Sequence, residues 1–229
     1  MPIDRFFYPH SLSVPSIVLE DEEYRHLSVM RIRPGDEIEI VNGQGDVAKA
    51  RLKNGAQLEI LSHEHRPPPQ YELILAQALT KPASLEWIIE KGTELGVAAF
   101  WLFPGDRSEK KSLSPNQEQR LHNLTISALK QCGRLYLPSL VLKPPLKQWS
   151  KPQGALFFGS LSPEAPVLSK PSSTMTFVVG PEKGFSAEES VLLQQTLQGQ
   201  GVKLHDNVLR AETAAITALA QVFPLLTSN

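Results

Sequence analysis

Among 229 residues there is one cysteine, Cys132. That excludes an internal disulfide and the stapled scaffolds of small secreted proteins, and a lone thiol suits a reducing cytoplasm. No apolar run reaches the length of a membrane-spanning helix, and the opening Met1-Pro2-Ile3-Asp4-Arg5 is charged almost at once. Neither a membrane span nor a secretory leader is expected. An excess of either charge is also missing, since 23 Lys and Arg stand against 24 Asp and Glu. The balance shifts along the chain, with 8 basic and 11 acidic residues before residue 71 and 15 against 13 from there on. A surface for a polyanion must therefore come from clusters such as Arg31/Arg33, Arg107/Lys110/Lys111 or Lys130/Arg134, each of which also reads as an ordinary solvated face. Neither GxxxxGK[ST] nor GxGxxG after a strand occurs, which argues against ATP and NAD. His63-Glu64-His65 has no second His or Cys pair at ligand spacing; it reads as a solvated strand end, and no metal is expected.

What is present is ordinary globular composition, 41% hydrophobic and 21% charged, in a chain long enough for one large domain or two modest ones. Arg66-Pro67-Pro68-Pro69-Gln70 reads as a stiff extended linker, placing a boundary between domains 1–69 and 70–229. Before it, short strand-like runs (Ser16–Leu19, Glu37–Val41, Val47–Leu52, Gln57–Leu61) alternate with turns at Asn42-Gly43-Gln44-Gly45 and Asn54-Gly55, and one helical stretch covers Glu22–Arg31. This predicts a small β-barrel. After it, strands at Glu72–Leu79, Val97–Phe103, Ala155–Gly159, Thr174–Val179 and Val202–Leu204 alternate with helices at Ser84–Leu95, Asn116–Cys132, Ser186–Gln198 and Ala211–Leu225. Such alternation predicts an α/β domain with a parallel sheet covered on both faces. The last helix carries Ala211, Ala214, Ala215, Ala218, Leu219 and Val222 on one face, small enough for another helix to approach, within the domain or across a dimer.

Two strand–loop–helix junctions carry the chemistry. Gly180-Pro181-Glu182-Lys183-Gly184-Phe185 follows a buried strand, Met175 to Val179. Val208-Leu209-Arg210-Ala211-Glu212-Thr213-Ala214 sets an arginine against a helix start. In an α/β chain such junctions converge on the carboxyl edge of the sheet, where small molecules bind, and helix-start amides suit a carboxylate or nucleotide. Gly180 and Gly184 permit positive φ and close approach of backbone to ligand, although a GxxxG pair is also an ordinary turn. Ser186 with Glu189 has capping-box spacing, a structural feature only. Arg210 could hold an anion or pair with Glu182 or Glu212.

Taken together these segments resemble a family. GPEKGF is similar to the GPEGGF loop, and VLRAETA to the (I/V)LRxETA loop, of SPOUT-class methyltransferases. The resemblance is nearest to the ribosomal RNA small subunit methyltransferase E family, which makes 3-methyluridine in 16S rRNA. Ile89–Val97 resembles its IEKxTELGV segment, Arg107-Ser108 its RS pair, and Ala128–Arg134 its AxEQSxR helix end. Tyr24–Leu27 with Met30-Arg31 and Pro34-Gly35-Asp36 resembles its HHLxxVLRxxxGD stretch, so the likeness covers nearly the whole chain in order. Two positions depart from the pattern. Lys183 replaces a glycine, and His205 stands where a glycine usually follows Leu204. If either position needs positive φ, the cost is roughly 1 kcal/mol or more.

The resemblance implies a PUA-like RNA-binding domain followed by a SPOUT domain with a C-terminal trefoil knot, acting as a cytoplasmic homodimer on the small ribosomal subunit. It implies S-adenosylmethionine held by Phe158, Gly159, Leu161, Gly180, Pro181, Glu182, Gly184, Leu204, Val208, Leu209, Arg210, Thr213 and Ala214, with Arg5, Arg31, Arg33, Arg107 and Lys110 on RNA. Methyl transfer to uridine N3 needs stabilisation of the uridinate oxygens and removal of a proton. Arg134 and Arg210 are the candidates for the first task, while Glu182, Glu212, His205 or water could serve as base. Two other classes stay open: a non-catalytic RNA- or ribosome-binding protein of this fold, and a different nucleotide-binding α/β enzyme.

Overall fold

A computed structural model describes residues 4–169 and 174–227. They form two compact units, one of residues up to 68 together with 126–137, the other of 69–125 and 138 onward.

The smaller unit holds β1 (Arg5–Phe7), β2 (Ser16–Val18), α1 (Asp21–Val29), β3 (Glu37–Val41), β4 (Asp46–Leu52) and β5 (Gln57–His65). The expected barrel is present as a five-stranded sheet in the order β1-β3-β4-β5-β2. Alternation explains its inner face: Ile38 and Ile40 of β3 and Ala48, Ala50 and Leu52 of β4 join Phe6, Leu12, Ile17, Leu19, Leu27 and Leu58 in one buried core. The turn at Asn42 forms as expected, with its side-chain carbonyl accepting the N–H groups of Gln44 (2.8 Å) and Asp46 (3.1 Å). Strand β1 was not foreseen. It is three residues long and lies parallel to β3, with Phe6 opposite Ile40. Strand β5 runs to His65 instead of stopping at Leu61, because its polar end pairs through the backbone with β4.

The larger unit contains β6 (Glu72–Ala78), α2 (Pro82–Glu94), β7 (Ala99–Phe103), the first part of α3 (Pro115–Cys132), β8 (Ser139–Leu142), β9 (Ala155–Gly159), β10 (Thr174–Val179), α4 (Ala187–Val191), β11 (Gln200–Val202) and α5 (Ala211–Thr227). All six strands are parallel, in the order β11-β9-β10-β6-β7-β8. Thus β10 lies between β6 and β9, and the connections that follow β6 (to β7) and β10 (to β11) run toward opposite edges of the sheet. Leu73, Leu75, Met175, Phe177 and Val179 share one face with Leu85, Ile88 and Ile89 of α2 and Ala215, Ala218, Leu219 and Val222 of α5. Ala76, Ala78 and Val178 share the other with Trp149, Leu193 and Leu197. The expected helix over Ser186–Gln198 is instead α4 followed by a π-helical turn, Leu192–Thr196. The small-residue face of α5 is spent inside the unit: Ala215, Ala218, Leu219 and Val222 are fully buried, which removes that face as a contact for a second copy.

In the smaller unit, His63 and His65 are not simply solvated. Both ring systems face Asp46, at 3.2 Å and 2.7 Å, and Asn42 Nδ2 donates to the same carboxylate at 2.7 Å. Burial opposes ionisation of Asp46, but the bonds from His65, His63 and Asn42 outweigh it and hold the carboxyl below its ordinary value. A carboxyl lowered on folding contributes stability above its unfolded pKa and loses it as pH falls through the folded one. Asp46→Ala should therefore destabilise by about 1–3 kcal/mol at neutral pH, measured by urea unfolding. The gap between wild type and variant should persist to about pH 5 and close only below about pH 4. An equal gap at all pH values would show that the charge is irrelevant.

Candidate functional site

The exits of β6, β7, β9, β10 and β11 all lie at the carboxyl edge of the parallel sheet. Between β6 and β10 the connections diverge, which makes their exits a topological switch point, the place where open α/β sheets bind ligands. Strand β10 leaves through Gly180, whose missing side chain is filled by its own turn. A Cβ there would stand 3.2 Å from the Gly184 carbonyl carbon and from Phe185 N. Gly184, at φ +67°, closes the turn by donating its N–H to Pro181 O at 2.8 Å. Lys183 has no positive φ and neither does His205, so the two departures from the glycine pattern carry no backbone strain.

Neighbouring exits fasten this turn. The Lys81 N–H, just after β6, donates to Glu182 Oε1 at 2.9 Å. Arg107, after β7, donates to Lys183 O at 3.2 Å, and Lys183 Nζ lies 3.5 Å from the Glu109 carboxylate. Below the turn, Gln77 Nε2 donates to Gly180 O at 3.2 Å. The capping box of α4 is present: Ser186 Oγ accepts the Glu189 N–H, and Glu189 Oε2 accepts the Ser186 N–H. It extends to the β7 loop, where the Asp106 N–H donates to Glu189 Oε1 at 2.9 Å and Ser186 Oγ donates to Asp106 Oδ2 at 2.7 Å. Lys111 Nζ donates to the carbonyls of Gly105 and Asp106. The residues carrying Arg107 are thus tied down on both sides.

The thirteen residues expected around a methyl donor all belong to the larger unit. Phe158 and Gly159 end β9, with Phe158 buried and edge-on to Phe185. Beside them, across the β9–β11 pairing, Ser160 N–H donates to Val202 O and Leu204 approaches Gly159, 3.6 Å from where a Cβ would sit. Leu161 and Val208, each 77% exposed, hold aliphatic surface in water on these two adjoining exits. Leu204 O accepts from Gln221 Nε2 of α5 at 3.0 Å, which pins the start of the last loop. Pro181 is buried, Glu182 exposed, and Leu209 half-buried. Arg210 is exposed, pairs with neither Glu182 nor Glu212, and its carbonyl accepts the Ala214 N–H at 2.8 Å, so Thr213 and Ala214 sit in the first turn of α5. His205 Nδ1 accepts the Asn207 N–H at 3.0 Å. A neutral imidazole so arranged carries its proton on Nε2 and has no spare lone pair, which sets His205 apart from Glu182 and Glu212 as a base.

Arg107 and Lys110 belong to the larger unit; Arg5, Arg31, Arg33 and Arg134 belong to the smaller. Arg31 and Arg33 are exposed on the turn after α1, and Arg31 is held at φ +59°. Arg5 differs: it is ion-paired with Glu39 and only 18% of its side chain is exposed, so its charge is answered within the fold. Arg134 is half-buried just after Gly133, whose φ of +87° ends α3. Sequence reading missed Gln77 and Asp106, and read Glu189 only as a helix cap, without its bond from the Asp106 N–H. The signal for Gln77 was present, as an amide within the apolar run Leu73–Leu79. Among the described residues no cluster of His, Cys, Asp and Glu is placed to hold a metal, and no helix is long and apolar enough to cross a membrane.

The chain resembles known proteins over most of its length. The sequence model of a family described as RNA methyltransferase domain matches residues 66–223, and one described as RNA methyltransferase PUA domain matches 19–61. The ribosomal RNA small subunit methyltransferase E of Rickettsia conorii is 30% identical over 85% of this chain and 83% of its own. The protein of that name from Bacillus subtilis is 29% identical over 91% and 90%. Among solved structures, the ribosomal RNA small subunit methyltransferase E of Neisseria gonorrhoeae, bound to S-adenosylmethionine, superposes with a TM-score of 0.86 at 27% identity, covering 96% of each chain. A Legionella pneumophila structure with bound S-adenosylmethionine gives 0.86 at 26%, covering 96% of this chain and 97% of that one. With two sequence models matched in order and a parallel-sheet unit of the same build, the chain belongs to the RNA methyltransferase family.

Proposed function

We propose that this protein transfers a methyl group from S-adenosylmethionine to N3 of a uridine in 16S rRNA of the small ribosomal subunit. The observation that carries the reading is the group of three exits after β9, β10 and β11, with a backbone-tight glycine at 180 and a positive-φ glycine at 184, in a fold shared with a relative solved with that cofactor. The residues fit such a ligand. Gly159 leaves room beside Leu204, Leu161 and Val208 offer apolar surface, and the Gly180–Gly184 turn brings bare backbone to the sheet edge. When bound, S-adenosylmethionine supplies a methyl already made electrophilic by its sulfonium, so the chain's own task lies with the nucleophile. The N3 proton of uracil leaves only well above neutral pH. Arg134 or Arg210 stabilises the developing negative charge on the uracil oxygens with a guanidinium group that stays charged and donates in a fixed fork. Glu182 and Glu212 are the remaining side chains for the proton. Arg31, Arg33, Arg107 and Lys110 hold rRNA phosphates, with residues 1–69 as the PUA-like RNA-binding domain and 70–229 as the catalytic domain, its C-terminal segment threaded as a trefoil knot. The protein works in the cytoplasm.

Substituting Gly180 with valine should abolish S-adenosylmethionine binding by calorimetry while circular dichroism stays native, because the new side chain meets the backbone of residues 184 and 185. Unchanged affinity in a folded variant would move the donor pocket elsewhere. We also propose a homodimer. Sedimentation at micromolar concentration should give twice the chain mass, and a fully active monomer would end that idea.

The sharpest test falls on Arg134. As a transition-state donor, its replacement by alanine should lower turnover on ribosomal subunits by roughly a hundredfold or more with cofactor affinity little changed. As an ordinary arginine at a helix C-terminus it is worth at most about 1 kcal/mol of stability, and methylation would stay near normal. In that event Arg210 becomes the leading donor.

A further inference from the structure

Gln77 interrupts an apolar row. Leu73, Leu75 and Leu79 share its face of β6, under α2 and α5, and Gln77 is fully buried among them. Both hydrogens of its amide are engaged, with Ala78 O at 2.9 Å and Gly180 O at 3.2 Å. Two carbonyl partners settle the orientation of the amide, since a flipped group would set oxygen against oxygen. Its own carbonyl, Oε1, is buried with no hydrogen-bond partner among the described residues. An unanswered buried carbonyl lowers stability, and an apolar side chain of similar length would avoid the loss. The position is therefore costly to the fold, and what it achieves must lie in the group it holds.

That group is the carbonyl at the mouth of β10. The ring of Pro181 locks that residue's own φ, so fixing Gly180 O sets the peptide plane from which the whole 180–184 turn departs. Lys81 N–H at Glu182 and Arg107 at Lys183 hold the turn from its exposed side; Gln77 holds it from within, sheltered from competing water. Gly105 completes the base, where a Cβ would lie 3.2 Å from Ala78 Cβ and 3.4 Å from Pro181 Cδ. We infer that Gln77 is a positioning residue for the methyl-donor loop: its buried amide orients the Gly180 carbonyl and so presets the turn that receives the ligand. The ligand in question is that of the function proposed above.

The test is Gln77→Met, which keeps length and burial but removes the amide. The melting temperature should change little, because losing the unpartnered carbonyl offsets losing the donor to Gly180 O. Deuterium uptake in a peptide covering residues 180–185 should nevertheless rise. The dissociation constant and KM for S-adenosylmethionine should increase about tenfold, the equivalent of one ordinary hydrogen bond, with kcat and the KM for rRNA little affected. Wild-type uptake in the variant, or wild-type cofactor affinity where the parent binds the cofactor, overturns the inference. So does a fall in melting temperature with uptake in 180–185 unchanged, since that is what a purely structural residue does. Failure of the parent protein to bind S-adenosylmethionine would sink the proposed function, while the exchange measurement would still decide the role of Gln77. Should the methionine variant not fold, Gln77→Glu, with at most one donor at the same position, must show the faster uptake.

Discussion

Everything at the candidate site depends on β10 being wedged between β6 and β9. It is hydrogen-bonded on both edges, over Thr174–Val179 against β6 and Met175–Val178 against β9. Its side chains from Met175 to Val179 are buried on both faces of the sheet. A strand with no free edge and no wet face cannot shift register without breaking two ladders and exchanging the rows packed on its two faces. Its last residue is consequently a rigid launching point, and the turn that follows begins at a fixed place and direction. The same insertion separates the courses of β6 and β10, so the switch point and the tight turn have a single cause. Stiffness at the sheet edge is what a site needs when its ligand is to be held by backbone groups instead of long side chains.

How far the sequence reveals this follows from which signals are local. The buried strand Met175–Val179, the capping box at Ser186 and Glu189, and the helical period of the last helix each depend on residues close in sequence, and each was legible. Strand β1 was not, because three residues carry no period and its pairing with β3 is made across more than thirty residues. Strand β8 lacks a buried pattern, and β5 continues past Leu61 on backbone bonds alone. For the small-residue face of α5, periodicity identified the face but could not say what covered it; α2 does. The same limit applies to polar groups. Nothing local announces that His63 and His65 meet Asp46, that Arg5 is answered by Glu39, or that Glu189, besides closing its helix, accepts an amide more than eighty residues away.

Net charge says little about an RNA surface here. Lys and Arg nearly balance Asp and Glu, so what matters is which cations keep their charge unanswered and outward. Lys91 lies between Glu90 and Glu94, Arg120 against Glu86, and Lys130 against Glu23. Arg31 and Arg33 instead project from a turn, where a left-handed backbone at Arg31 stores strain that only the surrounding structure maintains. A guanidinium already neutralised in the fold has less to offer a phosphate than one held out in water, since counterion release scales with the charge newly paired. On this ground Arg5 falls behind Arg31 and Arg33 as an RNA contact, although all three carry the same charge in the sequence.

The case for a protein that kept the fold and lost the chemistry rested on Lys183 and His205, each in place of a glycine. A glycine is needed for one of two reasons, positive φ or a path too narrow for a Cβ. Within the turn, positive φ falls on Gly184 and the narrow approach on Gly180, and both are glycine. Position 183 has neither requirement. Its carbonyl accepts from Arg107 and its side chain runs outward to Glu109, so the lysine joins two loops that a glycine would leave joined by backbone alone. His205 likewise meets no φ requirement and uses Nδ1 to close the backbone at Asn207, while Lys203 pairs with Asp206 across the same bend at 2.6 Å and lowers its carboxyl pKa. Residues that add fastening to loops without obstructing them point toward a site kept in order, and the non-catalytic reading is left without its only support in the chain.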